Sequence, residues 1–172
     1  MWLKPVLTIL LFYFFALLQT SFFANFGFFG SLPNLVFILF FLLVFFEDKK
    51  SSHLILFYAV ISGFFLDVFS ATYFGYSIIA LIIIGILFKK IQNMLSEKKN
   101  DKYPIVYFIL LFLISFTVYD ILLKFALTKF NWASFLSEIS YNLLVAIIGF
   151  LIYKKYFLRD RNDNQLKLYA KI

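Results

Sequence analysis

The residue in this chain best suited to chemistry is Asp67. It lies in the run Gly63-Phe-Phe-Leu-Asp67-Val-Phe-Ser-Ala-Thr-Tyr-Phe-Gly75, which is apolar enough to sit in a bilayer. A carboxylate at membrane depth costs roughly 2.5–3.5 kcal/mol on insertion scales. It is therefore expected to face other helices or a polar groove and to have a partner. Gly63 sits one helical turn earlier on the same face, where a missing side chain lets a neighbouring helix approach closely. Ser70, Thr72 and Gly75 then close the helix in a short turn. From the residues alone, packing and ligand binding remain equally open roles for Asp67.

Few other polar residues fall at similar depth. From helix rise, Asp67 lies about 22 Å from the cytoplasmic side and Asp120 about 27 Å. Lys124 follows Asp120 by one turn. The two can pair along one helix face or across helices, or Lys124 can extend to the outer surface. Asn34 opens an apolar segment at the outer side. Glu138 suits the first turns of a helix, and Asn142 suits an interhelical hydrogen bond. The inner helix halves read as almost purely apolar. The expectation is a polar recess near the outer face, with Asp67 as its deepest charge.

Catalysis finds little support in these residue types. A nucleophile needs a base within hydrogen-bond reach. The single histidine, His53, falls at the opposite side, beside Ser51 and Ser52, as a solvated interface residue. There is no HExxH, no Gly-x-Ser-x-Gly and no phosphate-binding glycine loop. A membrane aspartyl protease needs two facing aspartates. Asp67 and Asp120 share a depth, but neither has the flanking glycine pattern expected. Without cysteine there is no disulfide framework, and one histidine leaves no His-based metal cluster. No cofactor is called for.

The elements that must position these residues are membrane helices. Of the 172 residues, 63% are hydrophobic and 27 are phenylalanine, with a mean hydropathy of +0.93. The apolar runs are continuous rather than alternating, which predicts an all-α integral membrane protein. Six segments follow: about Val6–Phe23, Asn34–Phe46, Ser52–Phe69, about Tyr76–Phe88, Tyr103–Leu127 and about Phe135–Tyr156. Segment one reads as an uncleaved helix, since no small-x-small site follows it. Residues Asn25–Pro33 read as a turn. Segment two reaches about 20 Å, short of a ~30 Å core, so it borrows residues from that turn or is surrounded by protein. Segment four is also short. Lys89 and Lys90 can lengthen it by snorkelling, or it continues through Ile91, Met94 and Leu95 as an amphipathic surface helix. Pro104 suits the first turn of segment five.

Lys and Arg set the orientation. Two lie in the Glu47–Ser52 loop, five between Lys89 and Lys102, and six from Lys154 onward, whereas the Asn25–Pro33 and Ser70–Gly75 loops have none. Basic residues accumulate on the cytoplasmic side, so both termini are expected in the cytoplasm. The net charge of +7 then reports orientation, not nucleic-acid affinity. Residues 1–157 form the six-helix domain and residues 158–172 a basic cytoplasmic tail. Tyr73, Tyr103, Trp132 and Tyr153 fit interfacial belts.

Three features carry a family resemblance: about 170 residues in six helices with cytoplasmic termini, Pro33-Asn34-Leu35 opening a short apolar second segment, and Gly63-x3-Asp67 followed after a turn by Gly75 and an apolar helix. On these the chain resembles the MreD family, the small polytopic membrane subunit of the bacterial rod-shape (elongation) complex. The resemblance spans residues 1 to about 157. The heavy phenylalanine content and the long basic loop and tail depart from the pattern and bear on partner contacts. The resemblance implies a non-enzymatic subunit of the bacterial cytoplasmic membrane. Such subunits act with the bitopic MreC and the actin-like MreB to organise lateral peptidoglycan synthesis. Asn34, Gly63, Asp67 and Gly75 are the matching positions. The outer polar cluster would receive a partner, and the basic loop and tail would face cytoplasmic partners or anionic lipid. The family is similar in fold to the substrate-binding components of vitamin uptake transporters, which supplies the alternative: a membrane component of an energy-coupling factor transporter. Against it, Ala16 has Phe12 and Thr20 at four-residue spacing, so a small-xxx-small docking face on the first helix is largely missing.

Overall fold

A computed structural model describes residues 3–27, 31–47, 52–69, 73–96, 104–127 and 132–169, with side chains except at 52, 93–96, 104, 124–127 and 156–169. The described chain is helical: α1 (Leu3–Leu17), α2 (Leu35–Phe46), α3 (Ser52–Phe69), α4 (Tyr76–Ser96), α5 (Pro104–Leu127) and α6 (Trp132–Tyr169). Three stretches are long and apolar enough to cross a membrane: Leu3–Asn25, Ile105–Leu123 and Trp132–Lys155. Leu35–Phe46 and His53–Phe69 are shorter apolar helices.

Segment two is short because it is surrounded by protein. Every residue from Leu35 to Phe41 is buried, as is Val44. A helix apolar on all sides belongs inside a bundle. Helix α2 packs on α1, α3 and α6. Toward α5 the contact is made by rings. Phe37, Phe41 and Phe45 on α2 are spaced by four, as are Phe108, Phe112 and Phe116 on α5, so each set forms one ridge. The ridges interlock edge to face, with Phe41 5.1 Å from Phe112, Phe45 5.1 Å from Phe108 and Phe37 5.3 Å from Phe116, centroid to centroid. Such edge-on pairs each contribute roughly 0.5–1.5 kcal/mol beyond area burial. Phe88 of α4 and Phe150 of α6 close the cluster. Much of the phenylalanine content is thus the core. The outer surface is equally apolar, with Leu7, Phe14, Ile79, Leu136 and Ile152 all more than half exposed.

Several segment ends differ from expectation. Helix α1 begins earlier, and its periodicity continues through a π-turn (Leu18–Phe22) and a 3-10 turn (Phe23–Asn25). Thr20 Oγ1 bonds back to the Ala16 carbonyl at 3.0 Å, a contact that bends helices. Helix α4 takes the longer of its two expected forms, continuing unbroken past Phe88 to Ser96. Helix α6 starts at Trp132 and runs to Tyr169, so the expected tail boundary at 157/158 falls inside a helix. Backbone hydrogen bonding carries a helix past the point where its side chains stop being apolar.

The end of the bundle near Lys89 is less apolar than expected. Tyr58 donates its hydroxyl to Glu47 Oε2 at 3.0 Å, and Gln92 Nε2 donates to the Phe45 carbonyl at 3.3 Å, near the C-terminus of α2. Lys89 is buried while Lys90 is exposed, so only Lys90 reaches outward. His53 is exposed, as are Tyr73 and Trp132, whereas Tyr153 stacks on Phe46 at 3.9 Å.

Candidate functional site at the helix 3 to helix 4 joint

The N-terminus of a helix leaves backbone N–H groups without intrahelical acceptors. At α4 these are met by a side chain from the preceding helix. Asp67, near the C-terminus of α3, accepts from Gly75 N through Oδ2 at 2.8 Å and from Ser77 N through Oδ1 at 2.9 Å. The carboxylate also lies where the helix dipole favours negative charge. Its burial, 5% exposed, is compensated by these two bonds.

The two glycines of the run complete the joint. Gly75 takes a φ of +94°, a left-handed conformation that costs other L-residues about 1–2 kcal/mol. That turn aims its N–H back at Asp67. Gly63 brings α4 against α3: a Cβ there would lie 2.5 Å from Ile78 Cα and 2.7 Å from Ile78 N. Asp67 therefore caps a helix whose approach Gly63 permits. Because nothing lies within 4 Å of a Cβ at Gly75, Gly75→Ala is expected to cost only the backbone term, about 1–2 kcal/mol, with Gly75→Asn recovering part of it. Thermal unfolding of the purified variants checks this.

A second set of polar contacts ties α2 to α5 and α6. Asn34 Nδ2 donates to the Tyr119 hydroxyl on α5 at 3.4 Å. Asn34 also caps α2, its Oδ1 accepting from Phe37 N at 2.9 Å, a preferred use of Asn at this position. Its own N–H donates to Asn142 Oδ1 of α6 at 2.7 Å, and Asn142 Nδ2 donates to the Glu138 carbonyl at 2.8 Å. Gln19 of the π-turn accepts from Val36 N at 3.4 Å. Tyr76 donates to the Leu122 carbonyl at 3.0 Å, tying α4 to α5.

Of the residues singled out from sequence, Gly63, Asp67 and Gly75 meet at the joint, and Asn34 and Asn142 meet in the second set. Asp120 is buried beside Tyr119. The side chain of Lys124, and with it the Asp120–Lys124 pairing, lies outside the described residues, as do Ser70 and Thr72. Glu138 is in the second turn of α6, not the first. Tyr119 and Ser77 were missed. Tyr119 follows Phe108, Phe112 and Phe116 on one face of α5, and that periodicity carries the signal.

Asp67 is not the floor of an open recess. A cleft of about 790 Å³ lies between the Asn25–Gly27 turn and the first half of α6, lined by Ser137, Ser140, Tyr141, Leu136 and Leu144. None of the network residues lines it. Its hydroxyls are turned to backbone carbonyls: Ser137 to Ser134, Ser140 to Leu136 and Tyr141 to Phe26. Among the described residues, no three His, Cys, Asp or Glu side chains group to hold a metal.

The class defined by this geometry is an all-helical bundle, among the described residues, with three helices of membrane-spanning length and apolarity and a short, largely buried helix. Compared with protein-family models, curated proteins and solved structures, the chain matches none.

Proposed function

We propose that this chain is a non-enzymatic subunit of the bacterial cell-shape complex, of the MreD kind, in the cytoplasmic membrane. In this reading it crosses six times, with both termini in the cytoplasm. It acts with an MreC-like bitopic protein and MreB to organise lateral peptidoglycan synthesis. The observation that carries the reading is the joint. Of the positions on which the resemblance rests, Gly63, Asp67 and Gly75 form one packed and capped helix joint, and Asn34 caps α2. Both Asp67 oxygens are occupied by backbone amides, which suits a rigid scaffold.

The 790 Å³ cleft is what favours the transporter alternative. Its hydroxyls already bond within the chain, however, whereas a vitamin site needs convergent polar groups aimed at the ligand. Co-purification of the tagged chain in mild detergent tests the two readings. The expected result is recovery of an MreC-like single-span protein or wall synthases. Recovery of an ATPase pair with a coupling subunit overturns it.

A further inference from the structure

A second cleft, of about 170 Å³, opens on the outside of the bundle between α3 and α4. Ile55 and Gly85 form its floor, Leu56 and Ile86 its half-exposed walls, and Lys89 its only charged lining residue. Gly85 keeps the floor tight, since a Cβ there would meet Ile55 Cγ2 at 2.8 Å. Lys89 is only 7% exposed.

Helix length sharpens the point. The apolar part of α4, Tyr76 to Phe88, spans about 20 Å against a hydrocarbon core of ~30 Å. Its outward face is apolar at Ile79, Ile83, Ile86 and Leu87, so lipid meets it directly. Lys89 is then held below the level where bulk headgroups lie, and a short span draws the bilayer inward locally. Exposed Lys90 and His53 add donors near the same end.

We propose that this cleft binds an anionic phospholipid, with its phosphate on Lys89 and the start of one acyl chain between Leu56 and Ile86. The ammonium has three donors, so a phosphate can share it with a contact inside the chain. The proposal rests on the orientation given above, which puts this end in the cytoplasmic leaflet. It deepens the expected affinity for anionic lipid by moving it from the basic loop and tail as a whole to one intramembrane lysine.

The test uses the purified full-length protein in phosphatidylcholine–detergent micelles with increasing phosphatidylglycerol, reading the thermal midpoint. It needs no complex partner, so its failure is separate from failure of the scaffold reading. The midpoint is expected to rise with phosphatidylglycerol. Lys89→Gln shifts the half-point of that rise about tenfold higher, as loss of one charge-assisted hydrogen bond requires, and Leu56→Trp shifts it the same way by filling the groove. Lys154→Gln leaves it unchanged. Equal responses in wild type and Lys89→Gln overturn the proposal, as does an equal rise with soluble glycerophosphoglycerol. On the unsubstituted protein, a photoreactive phosphatidylglycerol is expected to label Leu56 and Ile86. Labelling spread evenly over α1 and α6 overturns it.

Discussion

Asp67→Leu is expected to destabilise the protein by about 1–3 kcal/mol, because it leaves the buried Ser77 N–H without its acceptor. Gly75 N, part-buried in the turn, loses its side-chain partner as well. The leucine is isosteric enough to fit, so the loss measures capping rather than packing. Asp67→Asn retains Oδ1 as an acceptor and is expected to lose less than half as much. Thermal unfolding in detergent ranks the three proteins. Near-wild-type stability for the leucine variant would remove the capping role. Under the proposed function the same variant impairs rod shape through a loosened joint, so its defect is expected to ease at lower growth temperature.

Gly63→Leu is expected to be at least as damaging, by a different route. The new Cβ would sit 2.5 Å from Ile78 Cα, and the obstructing atoms include main chain as well as the Ile78 side chain. Backbone cannot rotate away, so α3 and α4 must separate. Overpacking of this kind costs about 3 kcal/mol or more. Separation also pulls Asp67 away from the N–H groups it caps, so Gly63→Leu and Asp67→Leu should be strongly non-additive. The double variant is expected to lose little more than the worse single one, and a simple sum in a double-mutant cycle would show that approach and capping are independent. Gly63→Ala already introduces the same Cβ and is expected to show a measurable part of the loss.

The six apolar segments were legible because helix periodicity, breakers and charge are local properties. Segment three matches Ser52–Phe69 at both ends, and the turn signals at Asn34 and Gly75 fall where a helix starts. The short second segment was legible as an anomaly of length. That it is wrapped by protein follows only when α1, α3 and α6 are placed around it. The continuation of α4 was legible in the spacing of Ile91, Met94 and Leu95, whereas that of α6 was missed because side-chain hydropathy falls before backbone hydrogen bonding ends.

By itself the sequence determined an all-helical chain, an intramembrane aspartate that must have a partner, a glycine that must let a helix approach, and a basic end distinct from an acidic one. Each follows from the physical cost of a residue type at a depth along a helix. Only the tertiary structure decided which groups those residues meet. Depth along an axis says nothing of azimuth, so Asp67 read as the floor of a recess when it faces the N-terminus of α4. Tyr119 meets Asn34 because interlocking phenylalanine ridges set the register of α5 against α2. That register is a property of two surfaces packed together, and neither helix alone contains it.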